Sequence, residues 1–149
     1  MRTLAIDLGD RRVGLALSDA GGKLATPLEV ISVRSADGAI ARILAIIQQE
    51  SVHRIVIGLP LNMDDTLGPA ARSAIDWGKN LATKTRLPVI FIDERLSSFA
   101  AEQTLATQKR AGRKLTRKKK KESLDALAAA DFLQAFLDGR TPPLNPTEG

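Results

Sequence analysis

The chain contains no cysteine and a single histidine among its 149 residues. The absence of cysteine excludes disulfides, thiol nucleophiles and cysteine-based zinc centres. Aromatic residues make up only 3% of the chain. Binding of a single strand by stacking successive bases on rings is therefore not expected, and affinity for nucleic acid has to come from charge and shape. No hydrophobic run is long. The longest, residues 55–61, falls far short of the ~20 residues that span a bilayer. The first residues run straight into a strand-like segment, which leaves no room for a secretion signal. A cytoplasmic location with no membrane partner is the expectation.

What is present suits an ordinary globular protein. Hydrophobic residues make up 44% and charged residues 26%, and this length supports one domain with its own core. The net charge is +5, but it is unevenly spread. Residues 109–121 hold nine lysines and arginines and no acid. Setting those nine of 22 aside leaves 13 basic against 17 acidic residues, a net of −4 for the rest. A focused basic run suits a polyanion, because each neutralised phosphate releases condensed counterions. A solvated loop that keeps the protein soluble is the plainer alternative.

The pattern of apolar residues gives the element order. Residues 3–7, 13–19 and 28–33 read as three strands joined by turns at Gly9 and at Gly21-Gly22. The period then changes. Ala39, Ile40, Ile43, Ile46 and Ile47 fit one helix face, with Asp37 as its cap. Residues 54–58 form a fourth strand and 89–92 a fifth. Between them, residues 69–85 read as a helix with Pro69 in its first turn. Ser97 or Ser98 can cap a helix running to residue 108. A last helix covers residues 123–138, closed by Gly139 and Pro142. This order predicts an α/β fold, a mixed five-stranded sheet flanked by helices. One domain is expected over residues 1–138, followed by a flexible C-terminal tail over 139–149.

Three acids stand out. Asp7 ends the first strand, and Asp93-Glu94 end the fifth, where sites gather in open α/β sheets. A carboxylate ending an apolar strand is costly unless it ligates or pairs. Asp125 lies within about 40° of Ala129, Phe132 and Phe136 on a helical wheel, on the apolar stripe, while Asp131 falls about 120° away, toward solvent. Carboxylates from three elements repel each other unless a cation joins them. Oxygen ligands favour Mg²⁺ or Mn²⁺, and such ions can clamp the oxygens of a phosphodiester. Each acid also has a structural reading. Asp7 can cap a turn, Glu94 can pair with Arg95, and Asp125 can be an early-helix acid favoured by the macrodipole.

Four ordered segments carry a family resemblance. Asp7-Leu8-Gly9-Asp10-Arg11-Arg12-Val13-Gly14-Leu15-Ala16-Leu17-Ser18-Asp19 resembles the opening motif of the YqgF/RuvX family, the pre-16S rRNA nucleases also called Holliday junction resolvase-like proteins. Gly58-Leu59-Pro60-Leu61-Asn62-Met63-Asp64 resembles the second motif. Asp93-Glu94-Arg95-Leu96-Ser97-Ser98, followed by Ala101-Glu102, resembles the third. Lys119-Lys120-Lys121 leading to Asp125-Ala126-Leu127-Ala128-Ala129 resembles the fourth. The resemblance spans about residues 1–138 and implies a ribonuclease H-like fold. It also implies Asp7, Glu94 and Asp125 as the catalytic and metal-holding set, a divalent metal, and a role in processing the 5′ end of pre-16S rRNA in ribosome biogenesis. Motif position selects Glu94 over Asp93, although strand parity can reverse that choice. Two departures are visible. Asp65 stands where the family usually has glycine, which predicts a different turn there. Ser97 and Ser98 stand where threonines are frequent, and the hydroxyls are kept.

Arg12, Arg95 and Lys118, Lys119, Lys120 and Lys121 are the candidates to hold the nucleic-acid backbone. Arg12 can instead pair with Asp10 or Asp19. Gly9 and Gly14 are read as permitting tight backbone turns, Ser18 and Asp19 as organising the hairpin edge, His53 as a surface residue, and Trp77 as core or groove wall. Structured RNA, including pre-rRNA on the ribosome, and branched DNA both remain as partners, because no feature reads a 2′-hydroxyl. Monomer and homodimer also both remain; junction cleavage favours a symmetric dimer. Two other classes stay open: a nucleotide-binding relative of the actin-like ATPases, which needs a second domain, and a noncatalytic nucleic-acid-binding assembly factor.

Overall fold

A computed structural model describes residues 1–96 and 117–144, with the backbone alone over 117–125. The expected helix from Ser97 or Ser98 and the first part of the basic run lie outside the described residues, as does the end of the tail.

Five strands build one sheet: β1 (Thr3–Leu8), β2 (Arg12–Ser18), β3 (Ala25–Ser32), β4 (Arg54–Leu59) and β5 (Val89–Asp93). Their spatial order is β3-β2-β1-β4-β5. The hairpins β1–β2 and β2–β3 are antiparallel. The pairs β1–β4 and β4–β5 are parallel, because a helix carries the chain back between those strands. The mixed five-stranded sheet expected from the sequence is what forms.

Strands β1, β2, β4 and β5 alternate between two cores. Leu4, Ile6, Ile55, Ile57 and Phe91 enter one, with residues of α1 (Ile40–Gln49) and α2 (Pro69–Thr85). Ala5, Ala16, Val56 and Ile92 face the other, against Ala129, Phe132 and Leu133 of α3 (Arg117–Leu137). Ala126, Ala129 and Ala130 of α3 are buried, and side chains this small let the helix axis approach the sheet.

Several boundaries differ from expectation. The third strand begins at Ala25, not 28. Asp37 does not cap a helix. It lies inside a 3₁₀ turn (Ala36–Ala39) that leads into α1, and neither helix start has a side-chain capping bond. α3 starts at Arg117 rather than 123. Arginine and lysine are good helix formers, and no glycine or proline stands there to stop the helix. Lys118 to Lys121 are therefore helical rather than part of a preceding loop. Asp131 is half-buried, with Oδ2 shielded from solvent, instead of facing water. The segment after Gly139 is not loose throughout. Thr141 is buried, and Leu144 N–H donates to the Phe91 carbonyl at 2.7 Å, forming a bridge along the edge of β5.

Candidate active site

The site lies where β1 and β4 end side by side. Asp7 shares the α3-facing side of β1 with Ala5, and Gly58 shares that side of β4 with Val56. On β5, Ile92 faces α3, so alternation turns Asp93 to the opposite face. The strand then gives way to a 3₁₀ turn (Glu94–Leu96), which returns Glu94 to the α3 side. A Cβ placed on Gly58 would come within 2.9 Å of both the Glu94 Cβ and the Phe132 ring. Only glycine at 58 leaves this space.

Glu94 and Asp7 meet there. Burial pushes the Glu94 carboxyl up to about 8, helped by the Asp7 charge, by a hydrogen bond with Asp7 and by the Asp93 charge. Two carboxyls in contact cannot both ionise at low cost, so Glu94 holds a proton and shares it with Asp7. Between the two adjacent acids, it is Glu94 that joins Asp7.

Asp93 does something else. Its carboxylate accepts from Arg95 Nε at 2.9 Å and Nη2 at 2.7 Å, and the guanidinium holds its pKa below the usual carboxylate range. The same guanidinium donates to the Asn62 carbonyl at 2.7 Å and to the Asp65 carboxylate. Arg95 is thereby committed to tying the loop after β4 to the end of β5. These bonds brace the guanidinium against both segments.

The loop is further closed by Asn62 Nδ2 donating to Thr66 Oγ1 at 2.9 Å and Thr66 Oγ1 donating to Asp64 Oδ1 at 2.6 Å. Asp65 has φ +68°, the left-handed conformation that favours glycine and that aspartate tolerates better than most residues. The backbone adopts a glycine-like conformation, and the added carboxylate pairs with Arg95.

Arg12 opens β2 on the same face as Ala16 and therefore as Asp7, whose cross-strand partner is Gly14. Asp19 stands beyond the far end of that strand, so it is not the partner of Arg12. Asp19 Oδ1 instead accepts from the Lys23 and Leu24 amides at 2.7 and 3.1 Å, which organises the hairpin edge as expected. Gly9 N–H donates to the Arg12 carbonyl at 2.9 Å, and a Cβ on Gly9 would lie 2.8 Å from that oxygen. The tight turn thus needs glycine, and this turn carries the chain away from Asp7. His53 is exposed at the opposite end of the sheet, and Trp77 is buried as a groove wall.

Asp125 lies within α3, seven residues before Phe132, which is two helical turns toward the helix start. Its side chain and those of Lys118 to Lys121 lie outside the described residues. Among the described residues no third acid or histidine joins Asp7 and Glu94 into a metal-holding group. Gly58, Asn62 and Asp65 are parts of the site to which the sequence reading assigned no role there. The signals for Gly58 were a glycine at the end of an otherwise apolar strand and its place at the head of the second motif.

Comparison with known proteins bears on family and fold. A family model described as "RuvX: Holliday junction resolvase" matches residues 1–139. A protein of Anaeromyxobacter sp. (strain Fw109-5) named "Putative pre-16S rRNA nuclease" is 44% identical over 140 residues, covering 94% of this chain and 98% of its own. A protein of the same name from Geobacillus kaustophilus (strain HTA426) is 40% identical over 142 residues, covering 94% and 99%. Among solved structures, T. thermophilus RuvC in complex with Holliday junction substrate aligns over 97% of this chain and 100% of its own, with TM-score 0.57 and 21% identity. At that identity the likeness speaks for the fold, which is ribonuclease H-like.

Proposed function

The chain belongs to the RuvX family, and from that premise we propose that it is a divalent-metal-dependent endonuclease acting on structured nucleic acid, with the 5′ end of pre-16S rRNA as its substrate. The observation that carries this reading is the contact between Asp7 and Glu94. Two carboxyls pressed together at the carboxyl ends of parallel strands, one held protonated by the other, suit a hard divalent cation that takes oxygen ligands. Mg²⁺ or Mn²⁺ fits this donor set, with Asp7 and Glu94 as ligands and Asp125 as the third. Support for Asp125 is its place on the helix whose Phe132 packs beside Glu94. When bound, the ion supplies Lewis-acid polarisation and lowers the pKa of water.

The chain's own residues do the remaining work. Asp7 and Glu94 hold the reaction centre on the α3 side of the sheet. Arg12, on that same face, and Lys118 to Lys121 neutralise phosphates on either side of the scissile bond. Arg95 keeps the loop after β4 in register with Glu94. A cytoplasmic location belongs to this reading. No helix among the described residues is long and apolar enough to cross a membrane.

A second reading, cleavage of a four-way DNA junction, is favoured by the family's description. One assay separates the two: cleavage of an rRNA precursor and of a DNA junction, each with and without Mg²⁺. The expected result is Mg²⁺-dependent cleavage of the precursor that is lost in Asp7→Asn, while that variant stays folded. Full activity in purified Asp7→Asn would remove the metal-site reading. Tight RNA binding without any cleavage would make the protein an assembly factor.

A further inference from the structure

A cavity of about 790 Å³ opens at the same strand ends, on the face of the sheet away from Asp7. It sits between the end of β1, at Leu8 and Gly9, and Pro60 just after β4. These two strands are where the chain order reverses, since β1 leads to a hairpin on one side and β4 lies on the other. Crevices at such switch points are where open α/β sheets bind ligands. The cavity opens at the ends of the same two strands that carry the site already described. Asp7 immediately precedes Leu8, and Gly58 is two residues before Pro60.

The walls distinguish between occupants. Leu8, Pro60 and the Trp77 ring supply apolar faces, and Ser73 and Asn80 of α2 supply hydrogen-bonding groups. The charged residues are Asp10, Asp37 and Asp76 against Arg34. That excess of negative charge repels a phosphate. Carboxylates, amide and hydroxyl instead match the donors and acceptors on the edge of a base. The volume is in the range of small-ligand pockets.

We propose that this cavity receives an unpaired base of the substrate strand, next to the scissile phosphate, and so selects nucleic acid with unstacked nucleotides. The inference rests on the nuclease reading and adds a specificity site to it. Base recognition in RNA commonly works on unstacked nucleotides, and enzymes that take up a base read its edge inside a pocket. The phosphates flanking that base stay on the rim, outside the acidic lining.

Trp77 is the only tryptophan in the chain, so its fluorescence reports this cavity alone. Asp7→Asn protein is titrated with three RNA duplexes: fully paired, with one bulged adenosine, and with an abasic site in place of the bulged base. The bulged adenosine is expected to change Trp77 emission and to bind about tenfold more tightly than the abasic duplex. Ser73→Phe, at an exposed helix position, fills the cavity. It should abolish that difference while leaving affinity for the paired duplex within about twofold. Asn80→Ala should reduce the difference without filling anything, which guards against misfolding of the bulkier variant. Equal affinity for the bulged and abasic duplexes, or no effect of either variant, overturns the proposal. If wild-type protein still cleaves with Mg²⁺ in that case, the nuclease reading stands without the base pocket. If wild-type protein neither binds nor cleaves any of the duplexes, the nuclease reading falls with it.

Discussion

The Cβ of Glu94 stands 2.9 Å from the point where a side chain on Gly58 would begin, and the Phe132 ring closes the same gap from α3. Gly58 is therefore the spacer that lets Glu94 reach Asp7. Ala at 58 would force Glu94 or Phe132 to move, and overpacking of this kind costs roughly 1–3 kcal/mol. Gly58→Ala should lower the melting temperature and reduce cleavage more than the stability loss explains. A variant with wild-type activity would show that Glu94 tolerates displacement.

The proton held by Glu94 makes metal-free stability depend on pH. The carboxyl titrates at about 8 in the folded protein against an ordinary value of 4.5. The folded state thus binds this proton more tightly than the unfolded chain does. Stability is fully present below about pH 4.5 and falls as pH rises toward about 8. Asp93, with a lowered pKa, acts oppositely and only at more acid pH. In EDTA the melting temperature should fall between about pH 5 and pH 8, and Glu94→Gln should flatten that slope. In the proposed metal site Mg²⁺ takes the deprotonated pair, so it should raise the melting temperature more at the upper pH than at the lower. An equal metal effect at both ends would place the ion elsewhere.

Arg95 and the lysines of α3 should separate cleanly in salt titrations. Arg95→Ala breaks the bonds to Asp93, Asp65 and Asn62. The guanidinium is exposed, so solvent screening keeps the stability loss small. Cleavage should drop several-fold, with the salt dependence of binding unchanged. Replacing Lys118, Lys119, Lys120 and Lys121 with Ala should instead reduce the slope of log affinity against log salt by about 0.9 for each duplex phosphate left without its lysine. A lowered slope in Arg95→Ala would show that it also contacts phosphate.

Removal of residues 141–149 should uncover the edge of β5. Leu144 occupies that edge through its bond to Phe91 and packs on the larger core, and Thr141 is buried. An open edge strand invites pairing with another chain. The truncated protein should melt a few degrees lower and associate as its concentration rises, as read by size-exclusion chromatography. Unchanged melting and elution would make the strap dispensable.

The ends of α2 were legible because their signals are local. Pro69 pre-sets the first turn, and the apolar spacing runs unbroken to residue 85. The period-two strands were legible for the same reason, as was Asp7 at the end of the first. The start of α3 was less so, since a lysine run reads equally as a loop or as a helix. Gln134 shows how far side-chain bonds can reach beyond a local pattern: its amide spans from α3 to the Ala25 amide and the Lys23 carbonyl.

Glu94 marks the same boundary at the site. Its residue type, its place after an apolar strand and its motif were all visible in one dimension. Whether it or Asp93 joins Asp7 depended on which face of the sheet Ile92 takes, because alternation along β5 sends the two acids to opposite faces and Glu94 to the Ile92 side, toward α3. The clamp of Arg95 on Asp65 depended on a loop from another strand end folding across, and the space at Gly58 on how closely Phe132 of α3 approaches. Local chemistry named the carboxylates and the elements that carry them. The pairing of those carboxylates required strands distant in sequence to end side by side, with a helix pressed over them.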